Sequence, residues 1–339
     1  MENVSQSPRP LNGSSGLPSS SRVEGYTKVI VSTSLALIVC VGTMGNLILL
    51  LVLIDSKRRR LGPINNLTNM FIINITVSDL FLLLYNIPVA FFKKVFEGWR
   101  WGAVVCVSHS ALTTLTIFSS FYSMVAIAVL RCIAVVYPTH SLVLTQKHGF
   151  VMILIWGAAF VISIPLWMCH KLVDRNGAET CVNTMEPRQW LLFLSLIGGV
   201  CFFPPMLLMI MLYTKIIFSL WHREAVTANA NLQMNRNATV MILTVLVVFV
   251  VMWIPCWVIV FCLAAQRLSH FESSFPINDL AVLLSYSNTC VNPIIFFSLS
   301  HQYKQALKRM LKRCRRKNAP PPQKSNCIAT PERGALSKL

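Results

Sequence analysis

The acidic residue Asp79 lies inside a long apolar run of the sequence, where a carboxylate is costly to bury. Other apolar runs carry polar residues that would surround it if the runs pack together, namely Asn46, Ser120, Asn288 and Asn292. Oxygen ligands that include one carboxylate suit a hard cation or a proton. The residues therefore indicate either an ion site or a protonated, hydrogen-bonded Asp79, and the pattern leaves both open.

A second ionisable residue, Arg131, lies near the end of another apolar run. A guanidinium at such a place can extend to the aqueous interface, so it is either an interface anchor or a functional group. An enzyme would need a nucleophile beside a base, or a cluster of metal ligands, and the apolar runs contain no such arrangement. We therefore predict that the chain is not an enzyme.

Seven long apolar runs must position these residues. Of the 339 residues, 55% are hydrophobic and only 12% are charged, whereas roughly 25% are charged in soluble domains. Each run is long enough to cross a ~30 Å hydrocarbon core as a helix, and too uniformly apolar for a barrel strand. We predict an all-α membrane protein, a bundle of seven transmembrane helices at about 28–54, 66–92, 104–136, 149–169, 190–218, 238–264 and 277–299.

The polar segments between the runs set the orientation. Of the 30 Lys and Arg residues, 20 fall on the side that includes Lys57 and Arg313, which the positive-inside rule assigns to the cytoplasm. Residues 1–27, with glycosylation sequons at Asn3 and Asn12, fall on the other side. We predict that the protein lies in the plasma membrane with its N-terminus outside the cell. The net charge of +18 is concentrated inside, which favours contact with membrane lipids and not with nucleic acid.

Two of the eleven cysteines lie on the outer side in this arrangement, Cys106 at the start of the third run and Cys181 in the second outer loop. A disulfide persists in that oxidising compartment, so we expect the two to pair, with two unpaired thiols as the alternative. The pair Asn176-Gly177 in the same outer segment is a strong hairpin signal. We expect a β-hairpin lid there, with an unstructured polar loop as the alternative.

The segment 300–314 follows the last run and has helical periodicity, with basic residues among its apolar ones. It is predicted to be a short amphipathic eighth helix at the membrane interface, with Cys314 as a palmitoylation site that would strengthen anchoring. Residues 315–339 read as a disordered cytoplasmic tail. The predicted organisation is thus an extracellular segment (1–27), a transmembrane domain (28–299), the interfacial helix and this tail.

Short motifs occur in every apolar run in a fixed order. They are Gly45-Asn46, Asn74 to Leu80, Trp99 with Cys106, Arg131 at 25 residues beyond Cys106, Trp156, Pro205 with Tyr213, Phe249 with Trp253 and Pro255, and Asn292-Pro293 with Phe296. Their order and spacing resemble those of the rhodopsin-like, or class A, G-protein-coupled receptors over about 28–314. The resemblance implies coupling to a heterotrimeric G protein, with arrestin as a further cytoplasmic partner.

The resemblance also assigns roles to residues. It implies a sodium pocket, the ion acting as an allosteric modulator, formed by Asp79, Ser120, Asn288, Asn292 and Trp253. It implies no other metal and no cofactor. It places the activation switch and the coupling surface at Leu130, Arg131, Tyr213, Phe249, Trp253, Pro255, Asn292, Pro293 and Phe296.

Three positions depart from the family pattern. The Asp/Glu-Arg-Tyr triplet is Leu130-Arg131-Cys132, the tyrosine of NPxxY is Phe296, and the cysteine of CWxP is Met252. A carboxylate beside the arginine normally restrains it, so its loss predicts substantial basal signalling. The alternative is that the altered positions also disable coupling, which would leave a silent receptor.

The ligand class follows mostly by exclusion. Amine receptors of the family carry an aspartate where this chain has Thr113, and opsins carry the retinal lysine where it has Tyr286. The hairpin-like outer loop resembles the peptide-binding subgroup, with a looser similarity to galanin-type receptors. We therefore expect an extracellular peptide ligand in a cavity that includes Thr113, Ile117, Trp257 and Tyr286.

Two other functions remain open from the sequence. An orphan receptor could signal constitutively or act as a scaffold without a ligand. A seven-span transporter or channel would show internal repeats or paired broken helices, and the sequence shows neither.

Overall fold

The computed structural model describes residues 19–57, 63–96, 98–137, 148–175, 177–224, 230–268 and 276–317. Among these residues, seven helices are long and apolar enough to cross a membrane, and an eighth follows them, which confirms the predicted bundle. The helices are α1 (Ser19–Lys57), α2 (63–95), α3 (Gly102–Val136), α4 (His148–Cys169), α5 (187–224), α6 (Ala230–Leu268), α7 (Pro276–Leu299) and α8 (His301–Lys317).

Two of the helices contain a widened, π-helical turn just before a proline. In α2 the turn spans Leu82–Asn86 and Pro88 follows, and in α5 it spans Ile197–Phe202 and Pro204 follows. Proline has no N–H and its ring crowds the preceding turn, so a local widening lets the helix continue. These turns change which side chains of α2 and α5 face the bundle interior.

The helix α3 lies at the centre of the bundle and contacts α2, α4, α5 and α6. A polar network joins three of these helices, because the Asn74 amide donates to Ser119 Oγ (3.1 Å) and Ser123 Oγ (2.8 Å). Its carbonyl oxygen accepts from Trp156 Nε1 at 3.1 Å. Buried polar groups in a membrane protein must bond to each other, so this network fixes the relative placement of α2, α3 and α4.

The helices α1 and α7 approach each other closely. The Asn46 amide donates to Thr289 O of α7 and to Gly42 O within α1, both at 2.9 Å. At the residue before Asn46, a Cβ on Gly45 would lie 3.1 Å from Pro293 Cβ, so glycine permits the close packing. Asn46 therefore joins α1 to α7.

The outer loop after α4 forms the predicted hairpin, with strands β1 (His170–Arg175) and β2 (Ala178–Asn183) paired antiparallel. Gly177 supplies the positive φ of +79° that the turn requires, and Asn176 lies outside the described residues. At the other end of the bundle, α8 buries Tyr303 and Ala306 and exposes Leu311, as an interfacial helix would.

Several predicted features lie outside the described part of the chain. These are the sequons Asn3 and Asn12, residues 1–18 of the N-terminal segment, and the tail beyond 317. Cys314 lies within α8, but its side chain is also outside the description. Glycosylation, palmitoylation and the division into domains stay predictions.

Candidate functional site

The hairpin is fixed across the outer end of the bundle. A disulfide joins Cys106 at the start of α3 to Cys181 of β2, as predicted. The backbone N–H of Trp99 in the first outer loop donates to Glu179 O at 2.6 Å, and the Trp99 side chain is buried beside the disulfide. The lid is therefore attached to the bundle at two adjacent points of β2.

A cavity of about 160 Å³ lies below the hairpin, between α3, α4, α5 and α6. Its walls are chiefly apolar and aromatic, and they include two of the four candidate cavity residues, Ile117 and Trp257, together with Trp253, Trp190 and Phe193. The other two candidate cavity residues form a separate pair. Tyr286 is buried against α1 and α2, and its hydroxyl interacts with Thr113. Of the four predicted cavity residues, two therefore line this cavity, and Thr113 and Tyr286 contact each other elsewhere in the bundle.

The rim of the outer end is rich in basic groups. Lys94 Nζ forms an ion pair with Asp279 of α7 at 2.7 Å. Lys93, His109 and His170 lie close enough to influence one another electrostatically. Burial lowers the pKa of His170 below its ordinary value; the Leu166 carbonyl, 2.9 Å from its Nδ1, opposes this effect, and the charge of Lys93 adds to it.

A column of aromatic rings leads from the cavity toward the middle of the bundle. Trp257 packs on Phe202 at 5.1 Å between ring centroids, and Phe202 lies 6.2 Å from Trp253. Trp253 packs on Phe249 at 5.7 Å, and Phe249 stacks on Phe121 at 5.3 Å. The sequence motifs predict functional roles for Trp257, Trp253 and Phe249, but not for Phe202 or Phe121. Both lie in runs where nearly every residue is apolar, so no pattern marked them.

The structure joins two residues of the predicted ion site, Asp79 and Asn292. Asp79 is only 2% exposed, and its Oδ2 accepts a hydrogen bond from Asn292 Nδ2 at 2.8 Å. Ser120 Oγ and Trp253 Nε1 are buried without a hydrogen-bond partner in the described part of the chain. Asn288 is half-buried on α7, and Asn46 is engaged with Gly42 and Thr289 instead. A buried carboxylate and an unpartnered hydroxyl oxygen fit a small hard cation.

The C-terminal end of α3 buries the arginine. Arg131 is 7% exposed, so it does not extend to the interface as an anchor would. It lies within electrostatic reach of Tyr303 and Tyr213, which are themselves buried. Arg131 Nε and the Tyr213 hydroxyl have no hydrogen-bond partner among the described residues. Leu130 is 5% exposed and belongs to the apolar core.

Tyr303 lies in the predicted amphipathic segment 300–314, for which the sequence predicts only an interfacial helix, and the structure buries its side chain. Its hydroxyl donates to Asn69 Oδ1 of α2 at 2.7 Å. Its ring meets Phe296 of α7 edge-on at 5.8 Å. A tyrosine on the buried face of an amphipathic helix needs a partner for its hydroxyl, and that was the available sequence signal.

Comparison with known proteins agrees with this arrangement. The family described as "7 transmembrane receptor (rhodopsin family)" matches residues 45–296. The chain therefore belongs to the rhodopsin family of seven-transmembrane receptors, which are signalling receptors and not enzymes. This membership makes it a multi-pass membrane protein and sets aside the transporter or channel alternative.

Individual relatives include two named for galanin. Galanin receptor 2b of Danio rerio is 29% identical over 291 residues, covering 83% of this chain and 75% of the relative. Galanin receptor type 2 of Rattus norvegicus is 29% identical over 287 residues, covering 83% and 76%. The neuromedin-K receptor of Mus musculus is 28% identical over 292 residues, covering 84% of this chain and 63% of the relative.

Proposed function

We propose that this chain binds an extracellular peptide beneath the β-hairpin and activates a heterotrimeric G protein from the plasma membrane, with its N-terminus outside. The observation that carries the proposal is the aromatic column between Trp257 in the outer cavity and Phe249 in the bundle centre. A ligand that displaces Trp257 would disturb a chain of packed rings on α3, α5 and α6. Packed cores of this kind have discrete arrangements, so such a displacement can move a helix end.

The size and chemistry of the cavity support a peptide. Its volume of about 160 Å³ is below the ~300–1,000 Å³ typical of sites that enclose a whole small ligand. It suits one large apolar side chain, while the rest of a peptide would lie on the hairpin and the outer loops. The galanin and neuromedin-K receptors among the relatives are peptide receptors. The basic residues Lys93 and Lys171 near the hairpin would favour a peptide with an acidic group.

Sodium bound at Asp79 would act as a negative modulator of agonist binding. The buried carboxylate and the unpartnered Ser120 hydroxyl support a cation between α2 and α3. A cation that binds one conformation better than the other shifts the equilibrium toward the conformation it prefers. The chain's own part is to hold Asp79 in place through Asn292. Arrestin and membrane lipids complete the proposed partners.

A second candidate function is constitutive signalling or scaffolding without a ligand. It is favoured by Leu130, which puts an apolar side chain where a carboxylate would restrain Arg131. We expect basal activity to be substantial in either case. The two functions differ in whether a ligand adds to it.

Both candidates can be separated by measuring nucleotide exchange on purified G proteins in membranes that contain the receptor, with and without a synthetic peptide library. Peptide-dependent exchange supports the proposed function. Trp257→Ala should then lower the potency of an active peptide by about tenfold or more, as loss of a central aromatic anchor does. Phe160→Ala removes an exposed ring of α4 and should leave potency unchanged. Exchange that no peptide alters supports constitutive signalling. No exchange at all refutes both the proposed function and constitutive signalling, and it supports the scaffolding form of the second candidate.

A further inference from the structure

The helix α5 contains two consecutive prolines, Pro204 and Pro205. In a regular helix the backbone N–H at each position would donate to the carbonyl four residues earlier, but proline has no N–H to donate. The carbonyls of Val200 and Cys201 therefore lack their ordinary helical donors, and both lie in the π-helical turn Ile197–Phe202. Inside a membrane a backbone carbonyl without a donor is costly, so a donor from another helix stabilises such a turn.

The side chain of Tyr122 on α3 supplies a donor for one of these carbonyls. Its hydroxyl donates a hydrogen bond to Cys201 O at 3.2 Å. The half-buried ring of Tyr122 packs against Phe118 at 5.8 Å and Phe121 at 5.6 Å between ring centroids, and these contacts hold the ring in place. The hydrogen bond therefore joins the middle of α3 to the widened turn of α5.

The residue after Cys201 is Phe202, which lies in the middle of the aromatic column. Its side chain is 2% exposed, stacks on Phe121 at 5.1 Å and packs on Trp257 at 5.1 Å. A π-helical turn contains one residue more than an α-helical turn, and one residue of a helix corresponds to a rotation of roughly 100°. If the turn relaxed to a regular helix, Phe202 would therefore rotate away from the column. The widened turn is what places this ring between α3 and α6.

We propose that Tyr122 is a positioning residue for the aromatic column, and that its hydroxyl holds the widened turn of α5 so that Phe202 stays between Trp257 and Phe121. The consequence for signalling rests on the proposed function, in which the column carries a displacement of Trp257 to the centre of the bundle. Without the hydrogen bond the turn populates a second arrangement, in which Phe202 has left the column and the displacement is not transmitted.

Fluorine NMR of the purified full-length receptor tests the proposal without a ligand or a G protein. The probe is 4-fluorophenylalanine in place of Phe202, because its resonance depends on the neighbouring rings of Phe121 and Trp257. Tyr122→Phe keeps the ring and removes only the hydroxyl. We expect the second arrangement to gain population relative to the first by about two- to tenfold, the range that loss of one hydrogen bond allows. An unchanged spectrum in folded Tyr122→Phe receptor would overturn the proposal.

Two control variants separate this hydrogen bond from other effects. Tyr85→Phe removes a half-buried hydroxyl that shares a hydrogen bond of 2.7 Å with Ser108 between α2 and α3, so it should leave the fluorine spectrum unchanged. Cys201→Ala removes the thiol, which also lies near the Tyr122 hydroxyl, and keeps the carbonyl, so it should leave the populations unchanged. A population shift in Tyr85→Phe would mean that the probe reports a general loss of packing, and a shift in Cys201→Ala would make the thiol the partner. Either result would overturn the proposal.

A double-mutant cycle with Pro205 tests the reason for the hydrogen bond. Pro205→Ala restores a backbone N–H four residues after Cys201, so the carbonyl no longer needs the Tyr122 hydroxyl. Adding Tyr122→Phe to Pro205→Ala should then change the populations much less than it does in the native background. Equal effects of Tyr122→Phe in the two backgrounds would refute the link between the proline and the hydroxyl.

Nucleotide exchange on purified G protein, with and without the synthetic peptide library, keeps this inference separate from the proposed function. Tyr122→Phe should lower peptide-dependent exchange by the fraction of receptor that the fluorine spectrum assigns to the second arrangement. An altered spectrum with unchanged peptide-dependent exchange would refute the column as the route of the signal and support the role of Tyr122. An unchanged spectrum would refute the role of Tyr122, whatever the exchange assay shows.

Discussion

Replacing Leu130 by aspartate would put a carboxylate next to the buried guanidinium of Arg131. We expect agonist-free G-protein activation to fall, because the carboxylate stabilises the conformation in which the arginine is held. Arg131 is already buried in the native protein, where it is only 7% exposed, so the cost of removing the guanidinium from water is present before the substitution. The new ion pair therefore adds attraction without burying a second cation.

The magnitude follows from the burial of both positions. A hydrogen bond to a charged group contributes about 1.5–3 kcal/mol, which corresponds to roughly ten- to a hundredfold in a two-state equilibrium. Leu130 is only 5% exposed, so the new carboxylate loses hydration and part of that gain is offset. We therefore expect the lower end, a decrease of about tenfold.

The matched control is Leu130→Asn. Asparagine has nearly the same shape as aspartate and loses the same apolar packing, but it carries no charge. Both variants are compared with the native chain by nucleotide exchange on purified G protein at equal receptor amounts. Activity in Leu130→Asp should be about fivefold or more below that in Leu130→Asn. If the native chain is quiet, and the two variants are equally quiet, the missing carboxylate does not set the activity of this receptor.

Three further predictions concern the outer end and the centre of the bundle. Cys106→Ser should abolish surface expression or lower the ligand response, because the disulfide links residues 75 positions apart. The control Cys40→Ser, which changes an exposed free cysteine, should do neither. Normal expression and a normal response in Cys106→Ser would refute the role of the lid. Agonist affinity should fall as sodium rises, and Asp79→Asn should abolish that dependence; a dependence that persists in Asp79→Asn places the ion elsewhere. Thermal stability should decline as the pH falls below about 6.5, the ordinary value of histidine, because the lowered pKa of His170 makes the folded protein bind a proton less readily than the unfolded chain. His170→Gln should weaken that decline, and an identical decline in the two proteins would contradict it.

The sequence by itself determined the architecture, because the signals involved are local. The length and hydropathy of each run set the number of membrane helices, and those seven spans agree closely with the helices of the structure. Cys106 and Cys181 could be paired from their position outside the membrane. The turn at Gly177 and the amphipathic period of α8 depend on neighbouring residues, so they too could be predicted.

Only the tertiary structure decided which side chains meet inside the bundle. A transmembrane run is apolar on the face toward lipid and on the face toward the core, so its sequence does not show which way a residue points. For this reason Ile117 and Trp257 could not be told apart from Thr113 and Tyr286, although the first pair lines the cavity and the second packs elsewhere. The π-helical turn that ends at Phe202 adds a rotation that no helical period predicts.

The environment of Arg131 shows the same limit. The sequence correctly showed an arginine with no adjacent carboxylate, and from that alone the guanidinium would be unrestrained. The structure buries the arginine within electrostatic reach of Tyr213 and Tyr303, which belong to other helices. Such proximity depends on how α3, α5 and α8 converge at one end of the bundle. Convergence of distant segments is a property of the packed fold, and no local pattern contains it.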